Sequence, residues 1–116
     1  MVIIIRKDIV RRNMLSKEEG KMTERRFSAD TVVRHFKRQY ADPGSTDYLY
    51  RIIAEAEHTE TGELLVVYQA LYGDRRVFAR PASMFYEKTD TGKYPDARQA
   101  YRFEEASDAE KELIRQ

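Results

Sequence analysis

The feature that most constrains the fold is the segment from Tyr48 to Tyr72, YLYRIIAEAEHTETGELLVVYQALY. From Tyr50 to Glu57 apolar residues alternate with charged ones, with one lapse at Ile53, and this period of two is typical of a half-buried strand. Gly62 then stands where a hairpin loop uses a left-handed residue, so we expect the chain to return antiparallel from Leu64. The sequence therefore predicts a β-hairpin over residues 48–72.

Turn residues divide the rest of the chain into further short extended segments. Gly73 and Asp74 predict a turn that leads into a strand over Val77–Arg80, and Pro81 ends its ladder because proline has no amide hydrogen. Residues 31–40 are interpreted as a strand, although Val32, Val33 and Phe36 would also share one face of a helix. The sequence YRFEE, residues 101–105, predicts a fifth strand.

Two short helical pieces are predicted near these strands. After Pro81 a single helical turn places Met84 and Phe85 on the core, and the alternative for this pair is a protein-binding patch. Ser107 and Glu110 form the pattern of a capping box, in which each side chain bonds the backbone amide of the other residue. That box predicts the start of a short C-terminal helix.

Five short strands in one small domain would leave two long exposed edges unless the sheet curls. We therefore expect a mainly β fold: a small SH3-like, partly open antiparallel barrel of about five strands with a short C-terminal helix.

Composition narrows the classes of function. The chain has 116 residues, enough for one domain, and it has no cysteine, which excludes disulfides, thiol nucleophiles and zinc–cysteine sites. The N-terminal apolar run is too short to span a bilayer, so a soluble cytoplasmic protein is expected. Net charge is +1, with +6 in residues 1–40 (11 Lys/Arg, 5 Asp/Glu) and −5 beyond. A nucleic-acid module usually has a dominant basic face, which this balance does not favour.

Residues 1–21 fit no regular period and are interpreted as a disordered arm or as an upstream segment included by mistranslation. The codons of Glu18–Lys21 form a purine run that resembles a bacterial ribosome-binding site just before Met22, which predicts Met22 as the start of a single domain over 22–116. The alternative is a real arm in which Ile3, Ile4 and Ile5 pair with a sheet edge or a partner.

Four motifs occur in a fixed order: RHFK (34–37), AEHTETGE (56–63), VVYQALYGD (66–74) and RPASMF (80–85). With these motifs the chain resembles the bacterial domain-of-unknown-function family 1653 over about residues 30–104. The resemblance implies a mainly β fold and no particular reaction. Many members of that family continue from an HFKG motif directly into the next strand, whereas this chain has Arg38 and a longer loop through Asp47.

The candidate ligand-binding groove combines aromatic, cationic and amide side chains. In this interpretation the tyrosines stack on a ligand, and the cations and the amide fix a charged or carbonyl group. The predicted groove residues are Arg34, His35, Lys37, Tyr48, Tyr68, Gln69, Tyr72 and Arg80. The alternative is that Gln69 bonds backbone while Tyr68 and Tyr72 pack with their hydroxyls at the rim.

His35 and His58 are the only histidines. Each is predicted to bond a neighbouring turn, and the alternative is a small hydrolase or metal-assisted enzyme in which the two converge, or one of them joins Glu60. No catalytic motif is present, so no catalytic residue, metal or cofactor is assigned.

These observations predict a non-enzymatic binding module. The expected partner is a protein or peptide, with a nucleic-acid segment as the alternative, and no membrane contact is expected.

Overall fold

The computed structural model describes residues 3–6 as a strand and residues 26–115 in full. The strands are β1 (Ile3–Arg6), β2 (Val32–His35), β3 (Leu49–His58), β4 (Leu64–Ala70), β5 (Val77–Pro81) and β6 (Phe103–Glu105). The helices are a 3-10 helix (Phe36–Tyr40), α1 (Ala82–Phe85) and α2 (Asp108–Arg115).

The strands form one open antiparallel sheet in the order β5-β4-β3-β2-β6, and β1 pairs with β3. The mainly β fold with a short C-terminal helix is thus confirmed, and the closer likeness to an SH3 barrel stays a prediction. No helix among the described residues has the length and apolarity needed to cross a membrane.

The hairpin at the centre of the sheet follows the sequence pattern closely. β3 and β4 pair antiparallel from Tyr50↔Ala70 to Glu57↔Leu64, and Gly62 in their loop has a φ of 75°. The register shifts between Ile52 and Ala54, as a β-bulge does. The lapse in the alternation at Ile53 therefore marks the extra residue of that bulge.

The two faces of the sheet carry separate apolar clusters. One face holds Val33, Tyr50, Ile52, Val66, Tyr68, Ala70, Phe85 and Phe103, and the other holds Val32, Leu49, Leu71 and Ala106, against which Ile114 of α2 packs. On the first face the rings of Phe85 and Phe103 stack with centroids 4.1 Å apart. Because Phe85 follows β5 and Phe103 belongs to β6, this stack joins the two ends of the sheet.

Two local predictions need correction. Residues 36–40 form a 3-10 helix after β2, so the strand predicted over residues 31–40 ends at His35. Phe85 is fully buried, as predicted, but Met84 is 45% exposed and does not pack on the core. Adjacent side chains on a single helical turn point in different directions, so only one of these two can pack on the sheet. That residue is Phe85.

The N-terminal strand β1 runs antiparallel to the second half of β3, from Ile3↔His58 to Arg6↔Glu55. Residues 7–25 lie outside the described residues, and with them most of the segment interpreted as an arm and the predicted start at Met22. That interpretation stays a prediction.

Candidate functional site

On the first face of the sheet a row of polar aromatic side chains, each in contact with the next, extends to an arginine. We call this set the tyrosine–arginine face; it consists of His35, Tyr48, Tyr50, Tyr68, Tyr72 and Arg80. Five of these six residues belong to the predicted groove, and Tyr50 is added by the structure. The sequence pattern indicates for Tyr50 only an apolar position in a half-buried strand.

Ring contacts link the members of this face one to the next. The centroid of the His35 ring lies 6.0 Å from that of Tyr48, and the Tyr48 centroid lies 5.8 Å from that of Tyr72. The rings of Tyr50 and Tyr72 meet edge to face at 5.6 Å, and their hydroxyl oxygens are 2.7 Å apart. Burial, and then the bond to Tyr72, raises the pKa of the Tyr50 hydroxyl, which stays protonated at neutral pH.

Arg80 closes the chain of contacts at the edge of the sheet. Its Nε donates to the Tyr68 hydroxyl at 3.3 Å, while the Tyr68 ring is buried against Tyr50, Phe85 and Phe103. Tyr68 therefore offers its hydroxyl to the face and not its ring. Within residues 26–115 Arg80 forms no ion pair with a carboxylate, so its guanidinium retains donors for a ligand.

His35 contributes a neutral ring at this end of the sheet. Its Nδ1 accepts a hydrogen bond from the amide of Lys37 at 3.1 Å and so caps the 3-10 helix. Burial, followed by the positive charges of Arg102, Lys37 and Arg80, lowers the pKa of His35 to about 4. Of these cations Arg102 pairs with Glu87, whereas Lys37 and Arg80 form no ion pair within residues 26–115, so these two leave positive charge beside the imidazole that can attract an anion.

The backbone at Tyr48 is also unusual. Its φ is 65°, in the left-handed region that a bulky side chain rarely adopts. The conformation costs roughly 1–2 kcal/mol for a residue with a Cβ, and it places the Tyr48 ring between His35 and Tyr72. Strain of this kind is common at functional sites.

Three predicted groove residues lie elsewhere. Arg34 and Gln69 alternate with Val33 and Tyr68 along their strands, so both side chains point to the opposite face of the sheet. Gln69 Nε2 donates to the carbonyl of Arg75 at 3.0 Å, which is the backbone bond of the alternative interpretation. The ammonium of Lys37 lies 5.4 Å from the centroid of the Tyr94 ring, so the side chain of Lys37, unlike its amide, acts on His35 only through its charge.

The opposite face contains a cavity of about 620 Å³ between the 3-10 helix and α2. Its buried cation, Arg38, is already occupied: Nε bonds Glu110 at 2.9 Å, and the other nitrogens donate to the carbonyls of Asp47 and Pro43. Arg34 bonds Gln99 and lies 3.5 Å from the same glutamate. Arg38 thus holds the long loop that follows it, and we do not assign the cavity as the site.

The two histidines do not form a common site. His35 lies beside the start of β3, where it accepts a hydrogen bond from a backbone amide. His58 lies at the far end of that strand, ten residues beyond Tyr48 and thus about 30 Å away. His58 Nδ1 accepts from the amides of Glu60 and Thr61, as a turn cap does. Within the described part of the chain no group of His, Asp and Glu side chains is arranged to hold a metal ion.

The fold and this face together define a small antiparallel β-sheet domain with an aromatic and cationic surface at one end of its sheet. Comparison with protein families shows a match to the family described as "Protein of unknown function (DUF1653)" over residues 31–105. The chain belongs to this family. No curated protein and no solved structure matches it.

Proposed function

We propose that this domain is a non-enzymatic binding module that recognises an acidic segment of a partner protein through its tyrosine–arginine face. The observation that carries the proposal is Arg80, an arginine anchored by the hydroxyl of buried Tyr68 and without a carboxylate partner among residues 26–115. A guanidinium held in this way is prepared to bind a carboxylate through two parallel hydrogen bonds.

The aromatic members supply contact area beside that charge. Tyr48 and Tyr72 are half-buried and present rings with polar ends, the kind of side chain that dominates binding surfaces. Nearby, Phe78 and Met84 are 39% and 45% exposed. An apolar rim around a fixed cation suits a segment that carries both acidic and apolar residues.

A peptide fits the charge of the domain better than a nucleic acid does. Residues 26–115 carry 14 Lys/Arg and 16 Asp/Glu, a net charge of −2, which would repel a long polyanion. The exception is the stretch from Leu71 to Tyr86, which has three arginines and one aspartate. This cationic stretch is short and matches an acidic peptide of a few residues.

The test uses a fluorescein-labelled peptide of about seven residues in which Glu and Val alternate. Fluorescence anisotropy should show binding to the unmodified chain and binding at least about tenfold weaker to Arg80→Ala. Arg98→Ala is the matched control, because Arg98 is an exposed arginine on the other face and should leave binding unchanged.

Two results would contradict the proposal. Equal binding by the chain and by its Arg80→Ala variant would remove Arg80 from the site. Binding of a single-stranded RNA oligomer that is weakened by Arg80→Ala, without binding of the acidic peptide, would reassign the face to nucleic acid.

A further inference from the structure

We infer that the acidic segment binds as an added β-strand along the free edge of β5, with its carboxylates directed towards Arg76 and Arg80. The inference rests on the proposed function, because it specifies how the same segment lies against the domain. It specifies two further properties of the partner. The backbone of the partner bonds the edge of β5, and its acidic and apolar side chains alternate.

The hydrogen bonds between β5 and β4 show which backbone groups of β5 point away from the sheet. β5 ends the sheet and pairs only with β4, and the amide of Ala70 donates to the carbonyl of Arg76 at 2.9 Å. In an antiparallel ladder the backbone of every second residue bonds the neighbouring strand. Counting from Arg76, the backbones of Phe78 and Arg80 therefore also bond β4. The N–H and C=O groups of Val77 and Ala79 therefore point away from the sheet.

Those outward groups have no bonding partner among residues 26–115. Proteins usually protect such an edge with a charge, a bulge or a covering loop. Here three adjacent edge residues between Arg76 and Arg80 are apolar and exposed: Val77 to 56%, Phe78 to 39%, and Ala79 as well. An exposed edge with unbonded backbone groups is the feature that peptide-binding sheets use for strand addition.

The charges beside the edge specify the partner. Arg76, Phe78 and Arg80 alternate with Val77 and Ala79, so the two arginines share one face of the strand with the Phe78 ring. The guanidinium of Arg76 lies 5.9 Å from the centroid of that ring. A partner strand with Glu at every second position would place its carboxylates on this face and its apolar residues against Val77 and Ala79.

A second copy of this chain fits the edge less well. Antiparallel pairing of two β5 strands centred on Phe78 would place Arg76 of one copy opposite Arg80 of the other, twice in each dimer. Like charges directly opposite each other destabilise a strand pair. In this register the charge pattern favours an acidic segment over a second copy.

The decisive variants change the edge and leave the ladder to β4 intact. Ala79→Pro removes the outward N–H, and proline is tolerated where an edge N–H faces solvent. The alternating Glu/Val peptide should bind Ala79→Pro at least about tenfold more weakly than the unmodified chain. Arg76→Glu should weaken binding about tenfold, and Arg98→Glu, with the same change in net charge, should not.

Changes in the peptide give a test that does not depend on how a variant folds. N-methylation of alternate peptide amides should weaken binding about tenfold when it falls on the amides that face β5, and little when shifted by one residue. Replacing every Glu by Lys should abolish binding.

The outcomes separate this inference from the proposed function. If Arg80→Ala weakens binding but neither Ala79→Pro nor N-methylation does, the face binds the peptide and strand addition is wrong. If none of these changes has an effect, both are wrong. A dimer in light scattering that dissociates with Ala79→Pro, together with no peptide binding, would assign the edge to a second copy and overturn the inference.

Discussion

The hydroxyl oxygens of Tyr50 and Tyr72 lie 2.7 Å apart, so one hydrogen joins a buried phenol of β3 to a half-buried phenol beyond the end of β4. Each hydroxyl has one hydrogen, and the contact uses one of the two. The accepting tyrosine keeps its own hydrogen for another partner, which gives the pair a polar donor.

Replacing Tyr72 by Phe should affect both stability and binding. The buried Tyr50 hydroxyl would lose its partner, at a cost of about 1 kcal/mol in the free energy of unfolding. Affinity for the Glu/Val peptide should fall about threefold, because the half-buried Tyr72 ring would no longer carry a hydroxyl that can bond the peptide. Urea denaturation and anisotropy measure the two effects. Tyr94→Phe, a half-buried tyrosine outside the face, is the control and should change neither.

The lowered pKa of His35 predicts a loss of stability in mild acid. In the unfolded chain the imidazole takes up a proton near pH 6.5, whereas in the folded protein it does so only near pH 4. The unfolded state binds more protons between these values, so the free energy of unfolding should fall as pH falls from about 6.5 to about 4, by roughly 2 kcal/mol after allowance for solvent screening. Urea denaturation across this range measures the loss.

His35→Asn is the matched variant for this effect. Asparagine can still accept the hydrogen bond from the amide of Lys37 but does not titrate. The variant should therefore show a smaller loss of stability between pH 6.5 and 4. An unchanged pH profile would show that another group causes the acid sensitivity.

Glu110 and Glu112 provide a comparison of two ion pairs on one helix. Glu110→Gln would leave Arg38 buried with a weaker partner, and we expect a loss of about 2–3 kcal/mol in the free energy of unfolding. Glu112 pairs with Arg115 at the exposed end of α2, so Glu112→Gln should cost less than about 0.5 kcal/mol. Thermal and urea denaturation would show the difference, and equal losses would contradict the assignment of Arg38 as a buried anchor.

The left-handed backbone of Tyr48 predicts an unusual order of stability between two substitutions. Tyr48→Ala and Tyr48→Gly both remove the ring, but only glycine adopts a φ of 65° without strain. Tyr48→Gly should therefore be more stable than Tyr48→Ala by about 1 kcal/mol, in contrast to an ordinary strand position. The reverse order would show that this backbone relaxes when the ring is removed.

The pairing of β1 with β3 can be tested by hydrogen exchange. β1 covers the edge of β3 over Glu55–His58, beyond the last residue that pairs with β2. A chain that begins at Met22 should show faster exchange of those β3 amides that face β1 and no change in those that face β4. Equal exchange in both chains would show that β1 gives this edge no protection.

Local chemistry made much of the fold predictable. The period of two and the glycine of the hairpin loop identify the strands β3 and β4, and the lapse at Ile53 coincides with the bulge that the structure shows. Ser107 and Glu110 form the predicted capping box, with reciprocal bonds of 2.9 Å and 3.2 Å. These features depend on residues close in sequence, so the sequence pattern contains them.

The errors arise where distant parts of the chain meet. The 3-10 helix after His35 begins at Phe36, whose amide donates to the carbonyl of Arg102 at 3.0 Å, and the apolar spacing of residues 31–40 does not reveal this contact. The ring of Tyr68 is buried because Phe85 and Phe103 cover it from outside β4. The pairing of β2 with β6 joins segments about 70 residues apart, and no local pattern encodes it.

The candidate site was predicted in its residue types more than in its geometry. His35, Tyr48, Tyr68, Tyr72 and Arg80 do lie together, but Arg34 and Gln69 fall on the other face. The alternation of side chains along β2 and β4 separates Arg34 from His35 and Gln69 from Tyr68. Once the two strands are assigned, that separation follows from the sequence.

The central claim is that the tyrosine–arginine face and the β5 edge bind an acidic segment, and the most direct measurement is an NMR titration of the isotopically labelled chain with the Glu/Val peptide. The account predicts saturable shifts in the backbone signals of Val77–Arg80 and the side-chain signals of Tyr48, Tyr72 and Arg80. The signals of Arg38 and α2 should not change. Shifts confined to the cavity beside α2, or no shifts at a peptide excess, would contradict it.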